Sequence, residues 1–306
     1  MLKLILPRVL LFAAALLAAP ALAVPGEWVL GVTPVETPRQ SGAIDLPVSL
    51  PRASAGPEAW ARQSPSQRLL YNVSTPQLLP WPSSRPTSHI APAVLLVPGG
   101  GYQFLAMDNE GFDVARRLEK QGVRVFIVKY RTLPIPGGFA GFKAAITDLF
   151  LKGAKPNEDN RPYAAADTQA AIRMVRVHAR DWHVDPAKVG ILGFSAGAIA
   201  VLEATQANAA DARPDFVGMV YGPTAGTIVP PHAPPLFAAI AADDRFFKGQ
   251  DLGLISNWRA AGSPVEFHLY SAGGHGFASQ PNGTTSDAWF DQFALWLKDT
   301  GITGKH

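Results

Sequence analysis

The sequence contains no cysteine in its 306 residues. This absence excludes disulfide bonds, thiolate metal sites and a cysteine nucleophile, so the fold depends on its apolar core for stability. Charge is also scarce, because charged residues make up 17% of the chain and the formal net charge is +3. So small an excess of charge does not indicate a nucleic-acid partner. No cluster of metal ligands is evident either, and we expect neither a metal nor a cofactor.

Long hydrophobic runs are nearly absent, and the one exception stands at the N-terminus. An apolar run at residues 9–19 follows Lys3 and Arg8 and precedes Ala21-Leu22-Ala23. A basic start, an apolar middle and small residues at the end are typical of a secretory signal peptide. The alternative is a membrane anchor, but the run is shorter than the ~20 apolar residues that a span requires. We therefore predict a signal peptide at residues 1–23, a secreted or periplasmic protein, and no stable membrane anchor after cleavage.

The next stretch is rich in proline. Residues 24–92 contain 12 prolines, which cannot donate to a strand ladder and are poor central-strand residues. We predict an extended or partly disordered N-terminal arm over residues 24–68, followed by one domain at residues 69–306. Segments 69–73 and 77–79 are predicted as edge strands that open its sheet.

From residue 93 the chain alternates short apolar runs with helical patterns, as in a parallel sheet with crossover helices. The sequence predicts an α/β fold with a mostly parallel sheet and helices on both faces. The predicted strands are 93–97, 123–130, 189–194, 216–221, 236–241 and 265–270, and the predicted helices are 112–120, 164–182, 196–208, 252–261 and 287–300.

Residues 131–163 interrupt this alternation. The segment begins with Leu133-Pro134-Ile135-Pro136-Gly137-Gly138 and continues through an apolar stretch that is rich in phenylalanine. Long inserts in compact domains are often functional. We predict a flap or small helical cap near the site, with a surface helix that buries its own apolar face as the alternative.

Candidate catalytic residues follow several predicted strands. Gly193-Phe194-Ser195-Ala196-Gly197 lies between a strand and a helix, the context of a nucleophile elbow, where glycines flank a strained serine. Asp243-Asp244 follows strand 236–241, and His275 lies between glycines after strand 265–270. The chain order Ser, Asp, His is that of α/β-hydrolases. We predict Ser195 as nucleophile, His275 as base and Asp244, rather than Asp243, as the orienting acid.

A third group is the glycine run Gly99-Gly100-Gly101 after strand 93–97. Consecutive glycines let backbone amides approach a ligand, and in a serine hydrolase they would form an oxyanion hole with the amide of Ala196. The alternatives are a tight turn or a phosphate loop. A phosphate loop is disfavoured because no Walker lysine or full dinucleotide fingerprint follows.

Together these motifs resemble one branch of a known superfamily. They are Val97-Pro98-Gly99-Gly100-Gly101-Tyr102, Glu110-Gly111, Lys129-Tyr130-Arg131, Gly193-Phe194-Ser195-Ala196-Gly197 and Gly274-His275-Gly276-Phe277. The combination is similar to the acetylxylan esterase and feruloyl-esterase-like branch of the α/β-hydrolases. The resemblance implies an α/β-hydrolase fold, a triad of Ser195, His275 and Asp244, and an oxyanion hole from Gly100, Gly101 and Ala196.

The predicted function is hydrolysis of small acyl groups from carbohydrate esters, with a small-molecule or oligosaccharide ester as the partner. A lipase or peptidase on the same fold and a non-catalytic secreted binding protein are the alternatives.

Overall fold

The structure is a computed structural model and describes residues 27–38, 42–47, 50–83 and 89–304. The predicted signal peptide lies outside the described residues. Twelve strands are present in this part of the chain: β1 (Thr33–Val35), β2 (Ile44–Asp45), β3 (Ala59–Ser64), β4 (Gln67–Tyr71), β5 (Gln77–Pro80), β6 (Ala91–Val97), β7 (Phe104–Ala106), β8 (Arg124–Lys129), β9 (Val184–Phe194), β10 (Val217–Val220), β11 (Leu236–Ala241) and β12 (Val265–Tyr270).

The described residues also form six α-helices: α1 (Asp113–Lys120), α2 (Gly138–Phe150), α3 (Arg161–Val177), α4 (Ala196–Gln206), α5 (Gly253–Ala260) and α6 (Trp289–Asp299). A π-helical turn at Met107–Phe112 leads into α1, and short 3-10 turns lie at Glu27–Gly31, Glu158–Asn160 and Thr285–Ala288. No helix in the described ranges is long and apolar enough to span a bilayer.

Eight strands form the main sheet in the order β12-β11-β10-β9-β6-β8-β5-β2. The six from β12 to β8 are parallel, whereas β5 pairs antiparallel with β8 and β2 pairs antiparallel with β5. The parallel strands β6, β10 and β11 and the second half of β9, from Val189 onward, are buried over almost their whole length, which explains their nearly continuous apolar sequences. The mostly parallel sheet predicted from the sequence is confirmed.

The strand order reverses between β6 and β9: β8 lies on one side of β6, whereas β9 to β12 follow one another on its other side. This reversal determines which face of the sheet each connecting helix covers. The chain runs from β6 through α1 to β8 on one side, then returns through α3 to β9 and continues through α4 to β10. Because such crossovers are right-handed, α1 covers one face of the sheet while α3 and α4 cover the other. Helix α6 joins α1, where the guanidinium of Arg117 lies 3.8 Å from the ring centroid of Phe290. Helices therefore cover both faces, as predicted.

The proline-rich arm does not remain apart from the domain. Its strands β1 and β3 join β4 and β7 in a four-stranded antiparallel sheet, and β2 extends the main sheet. The prediction that segment 69–73 opens the main sheet is wrong, since β4 belongs to the smaller sheet. The prolines are compatible with strands here because these strands are short, and Pro34 lies in the edge strand β1.

Helix α2 lies within the predicted cap segment and covers this smaller sheet. Its buried residues Phe142 and Ile146 pack with Leu69 and Tyr71, and the rings of Tyr71 and Phe142 stack with centroids 4.1 Å apart. The segment therefore contains a helix that buries an apolar face, while its last turn reaches the candidate site described next.

Candidate active site

The candidate site lies at the reversal point of the main sheet, where β6 and β9 run side by side. Val97 and Gly193 are paired in register at the ends of these strands. The glycine loop follows β6 and Ser195 follows β9, so both arrive at the same carboxyl edge of the sheet. In open α/β sheets this crevice is where ligands bind.

The turn around Ser195 has the strain expected of a nucleophile elbow. Ser195 adopts φ 51° and ψ −118° immediately before α4. A Cβ on Gly193 would lie 2.4 Å from the carbonyl oxygen of Gly197, and a Cβ on Gly197 would lie 2.0 Å from that of Val97. The predicted need for glycine on both sides of the serine is confirmed. The turn holds the Ser195 hydroxyl at the N-terminus of α4, which favours developing negative charge.

The structure brings Ser195, His275 and Asp244 together, although 80 residues separate Ser195 from His275. His275 Nε2 lies 2.8 Å from Ser195 Oγ, and His275 Nδ1 lies 2.7 Å from Asp244 Oδ2. Asp244 is fully buried, and its Oδ1 accepts hydrogen bonds from the amides of Phe246 and Phe247 at 2.8 and 3.2 Å. A carboxylate held in this way can orient the imidazole so that Nε2 faces the serine hydroxyl.

Asp243 has a different position. Its Oδ1 accepts a hydrogen bond of 2.8 Å from the amide of Gly274, and its side chain is exposed. It supports the loop that carries His275, whereas the hydrogen-bond partner of the imidazole Nδ1 is Asp244. Of the two neighbouring aspartates, only Asp244 contacts His275 in the described structure.

Three aromatic rings surround the His275 imidazole. The ring centroids of Phe246, Tyr221 and Phe247 lie 4.7, 4.9 and 5.9 Å from that of the imidazole. These contacts, together with the two polar partners, limit rotation of the histidine.

The amides predicted as the oxyanion hole line the same cavity as Ser195. Gly100, Gly101 and Ala196 all border it, and within the described ranges no acceptor is assigned to their N–H groups. Ala196 is the first residue of α4, whose leading amides have no partner inside the helix. By contrast, the Gly99 amide is already occupied, because it donates to the carboxylate of Glu110.

Side chains that the sequence did not assign to the site hold the glycine loop in place. Tyr130 donates a 2.8 Å hydrogen bond to the carbonyl of Pro98. Asn109 donates a 3.1 Å hydrogen bond to the carbonyl of Gly276 and so links the turn before α1 to the histidine loop. Glu110 accepts a hydrogen bond of 2.7 Å from the hydroxyl of Tyr221. Tyr221 follows β10 directly, so the rule that located Ser195 at a strand end could also have found it.

The cavity above Ser195 measures about 440 Å³ and has an aromatic wall. Trp28 from the N-terminal arm packs edge-on against Phe150, the last residue of α2, with ring centroids 5.0 Å apart, and also contacts Phe104. Arg245 donates a 2.9 Å hydrogen bond to the Phe150 carbonyl, which links α2 to the loop after Asp244. The arm and the segment 131–163 thus both contribute to the site.

The cavity wall also carries polar groups. Gln63, Asn109, Glu158 and Gln250 all line it. Such a combination of an apolar wall with a few polar side chains is typical of small-molecule sites.

Comparison with known proteins agrees with this architecture. The sequence profile of the dienelactone hydrolase family matches residues 139–298, more than half of the chain. The chain belongs to the dienelactone hydrolase family. The matched range contains Ser195, Asp244 and His275.

The relatives by sequence include esterases. The chain is 26% identical over 243 residues to an acetylxylan esterase of Xylanibacter ruminicola, a match that covers 68% of this chain and 44% of that protein. It is 31% identical over 115 residues to gut esterase 1 of Caenorhabditis elegans, covering 37% of this chain and 18% of that protein. The chain therefore spans less than half the length of the curated relatives it matches.

Solved structures show the same fold. An acetyl ester-xyloside bifunctional hydrolase from Caldicellulosiruptor lactoaceticus superposes with a TM-score of 0.60 at 21% identity, covering 76% of this chain and 91% of that one. A carboxylesterase from Lactobacillus plantarum gives a TM-score of 0.58 at 16% identity, with coverages of 78% and 98%. This member of the dienelactone hydrolase family has the α/β-hydrolase fold, as predicted.

Proposed function

We propose that this protein is a serine esterase that removes small acyl groups, of which acetyl is the smallest common one, from carbohydrate esters. The observation that carries the proposal is the continuous hydrogen-bonded chain from Asp244 through His275 to Ser195 beneath an open cavity. A serine hydroxyl is a weak nucleophile until a neighbouring base accepts its proton, and this arrangement supplies that base.

In the proposed reaction, Ser195 Oγ attacks the ester carbonyl as His275 Nε2 takes its proton. The amides of Gly100, Gly101 and Ala196 donate to the oxyanion of the tetrahedral intermediate, and Asp244 stabilises the imidazolium. His275 then protonates the leaving alcohol, and an acyl-enzyme remains on Ser195. Water activated by His275 attacks the acyl-enzyme and releases the acid.

The preference for a small acyl group rests on the apolar side chains that border the glycine loop. Leu149 lies so close to this loop that a Cβ on Gly101 would be 2.6 Å from Leu149 Cδ2. Trp28 and Phe150 close the adjacent wall. Long acyl chains would have to displace these apolar side chains.

The carbohydrate alcohol is supported by the polar residues of the cavity and by the relatives. Amide and carboxylate groups of Gln63, Glu158 and Gln250 can hydrogen-bond sugar hydroxyls. The names of the acetylxylan esterase relative and of the acetyl ester-xyloside hydrolase point to the same substrate class.

We further propose that the protein is exported, with cleavage after Ala23. N-terminal sequencing of the mature protein should then begin at Val24.

The proposal is tested by comparing esters on purified protein, with Ser195→Ala as the blank and Ser54→Ala as the matched control at an exposed serine. We expect hydrolysis of p-nitrophenyl acetate and of acetylated xylo-oligosaccharides by the wild type and by Ser54→Ala, and none by Ser195→Ala. A preference for C8 or longer esters, or for an aminoacyl amide, would contradict the substrate class. Failure of a fluorophosphonate to label the wild type would contradict catalysis itself.

A further inference from the structure

The carboxyl group of Glu110 is buried beside the glycine loop, and in the described part of the chain it has no lysine or arginine partner. The residue is 5% exposed, and among the residues that the structure describes no lysine or arginine forms an ion pair with it. Two other buried carboxylates differ in this respect: Asp108 is paired with Arg68 and Asp167 with Arg131. Burying a carboxylate without a cation is costly, so its two hydrogen-bond donors become the important feature.

Both donors belong to groups that touch the reacting side chains. Glu110 Oε2 accepts from the amide of Gly99, and a Cβ on Gly99 would lie only 2.7 Å from Ser195 Cβ. Glu110 Oε1 accepts from the hydroxyl of Tyr221 at 2.7 Å. The Tyr221 ring in turn packs against the imidazole of His275, with centroids 4.9 Å apart. One carboxylate is therefore tied both to the loop beside the nucleophile and to the ring beside the base.

We infer that Glu110 is a positioning residue for the esterase reaction proposed above, on which this inference rests. Through Gly99 it fixes the loop whose next two amides are the oxyanion donors, and through Tyr221 it fixes the plane of the His275 imidazole. Glu110 acts through these neighbours and does not itself exchange a proton with substrate. Loss of both bonds lets the oxyanion donors and the base shift relative to Ser195, which lowers kcat more than it changes substrate binding.

The environment of Glu110 is consistent with a hydrogen-bonding role. Burial raises the pKa of its carboxyl group, while the hydrogen bonds from Tyr221 and Gly99 and the charge of His275 oppose that shift. The titratable groups that face it are Tyr130, Tyr221 and His275. Neither tyrosine brings a positive charge, so the two hydrogen bonds are the main local compensation for a buried carboxylate.

The test compares two replacements of similar length. Glu110→Met removes both acceptors, whereas Glu110→Gln keeps an oxygen for the Gly99 amide and an NH2 group that can donate to the Tyr221 oxygen. For p-nitrophenyl acetate we expect Glu110→Met to lower kcat by about 10²-fold with KM changed less than about 2-fold, and Glu110→Gln to retain at least about a tenth of wild-type kcat. Asp108→Asn is the control on the same turn, with kcat expected to stay within about 2-fold of wild type because the hydrogen bonds of the Asp108 carboxylate go to Arg68 and not to a triad residue.

Several results would overturn the inference. These are an unchanged kcat in Glu110→Met, an effect on KM in place of kcat, or an equal loss in the Gln and Met variants. If Glu110→Met does not fold, Tyr221→Phe takes its place, since it keeps the ring and removes one tether. An unchanged kcat in Tyr221→Phe would refute the role, whereas a loss of about 10-fold supports it. An inactive wild type would overturn the proposed function and this inference with it, while an active wild type alongside an active Glu110→Met overturns the inference alone.

Discussion

The two adjacent aspartates after β11 permit a sharp test, because the same substitution at neighbouring positions should have very different effects. In Asp244→Asn the side-chain amide would donate to His275 Nδ1, which now lies 2.7 Å from a carboxylate oxygen. The imidazole would then carry its proton on Nε2, facing Ser195 Oγ at 2.8 Å, and could not accept the serine proton. In Asp243→Asn the amide oxygen can still accept the 2.8 Å bond from Gly274.

The expected magnitudes follow from these contacts. Asp244→Asn should lower kcat by about 10⁴-fold, equivalent to about 5 kcal/mol of transition-state stabilisation. Asp243→Asn should lower kcat by less than about 10-fold, because it alters an exposed loop contact. The assay is steady-state hydrolysis of p-nitrophenyl acetate, with circular dichroism to show that both variants are folded. Equal losses in the two variants, or a larger loss in Asp243→Asn, would refute the assignment of the acid.

Three further predictions concern packing, specificity and pH. Gly197→Ala should lower the free energy of unfolding by about 1–3 kcal/mol, since its Cβ would lie 2.0 Å from the Val97 carbonyl oxygen. Gly304→Ala, with open space around it, should change the free energy of unfolding little. Denaturant titration measures both variants, and equal values would contradict the packing argument. Trp28→Ala should raise the ratio of octanoate to acetate ester hydrolysis by about 10-fold or more, because Trp28 lines the cavity. Leu30→Ala, exposed in the same 3-10 turn, should leave this ratio unchanged. An unchanged ratio in Trp28→Ala would show that the N-terminal arm does not determine acyl-chain specificity. Because burial raises the pKa of Glu110, the folded state holds the carboxyl proton more tightly than the unfolded state does. The free energy of unfolding should therefore fall as pH rises from the ordinary pKa value of 4.5 through the raised pKa. Thermal unfolding of Glu110→Gln should show a weaker fall with pH, and parallel stability curves for wild type and variant would contradict this.

The sequence predicts the central strands of the main sheet well because they are buried on both faces. Segment 236–241 is an apolar run bounded by turn residues and matches the fully buried β11 to the residue. Segment 265–270 also matches its strand to the residue, although β12 is the edge strand and is mostly half-buried. Strand β9 begins at Val184, five residues before the predicted start, and passes through Pro186. In the local sequence, Pro186 predicts a break in the strand. In the structure, pairing of Ala91 with Val184 extends the strand past this proline.

The smaller sheet could not be predicted because its pairing is not local. Strand β4 pairs with β7, which lies beyond the whole length of β5 and β6 in the chain. Nothing in residues 69–73 distinguishes an edge strand of the main sheet from a strand of another sheet. The burial of Trp60 and Ala61 in the proline-rich arm likewise depends on packing partners far along the chain.

Functional residues of parallel sheets follow the carboxyl ends of strands, and this expectation identifies Ser195, Asp244 and His275 in the sequence. It identifies fewer of the residues that hold these three side chains in place. Ser195, Asp244 and His275 each follow a strand and have chemically distinctive side chains. The sequence does not assign Glu110 to the site, because a buried carboxylate and an exposed one look the same in sequence. Tyr221 does stand at the end of β10, but its role depends on a contact with Glu110, 111 positions away in the chain.

The most direct test of the account is to identify the atom that becomes acylated. Wild-type protein is mixed with p-nitrophenyl acetate, quenched in acid within the first turnover and digested, and the acetylated peptide is sequenced by mass spectrometry. We predict an acetyl group on Ser195 that is absent from Ser195→Ala and accumulates with a burst of p-nitrophenol. Acetylation at another residue, or turnover that persists in Ser195→Ala, would contradict the central claim.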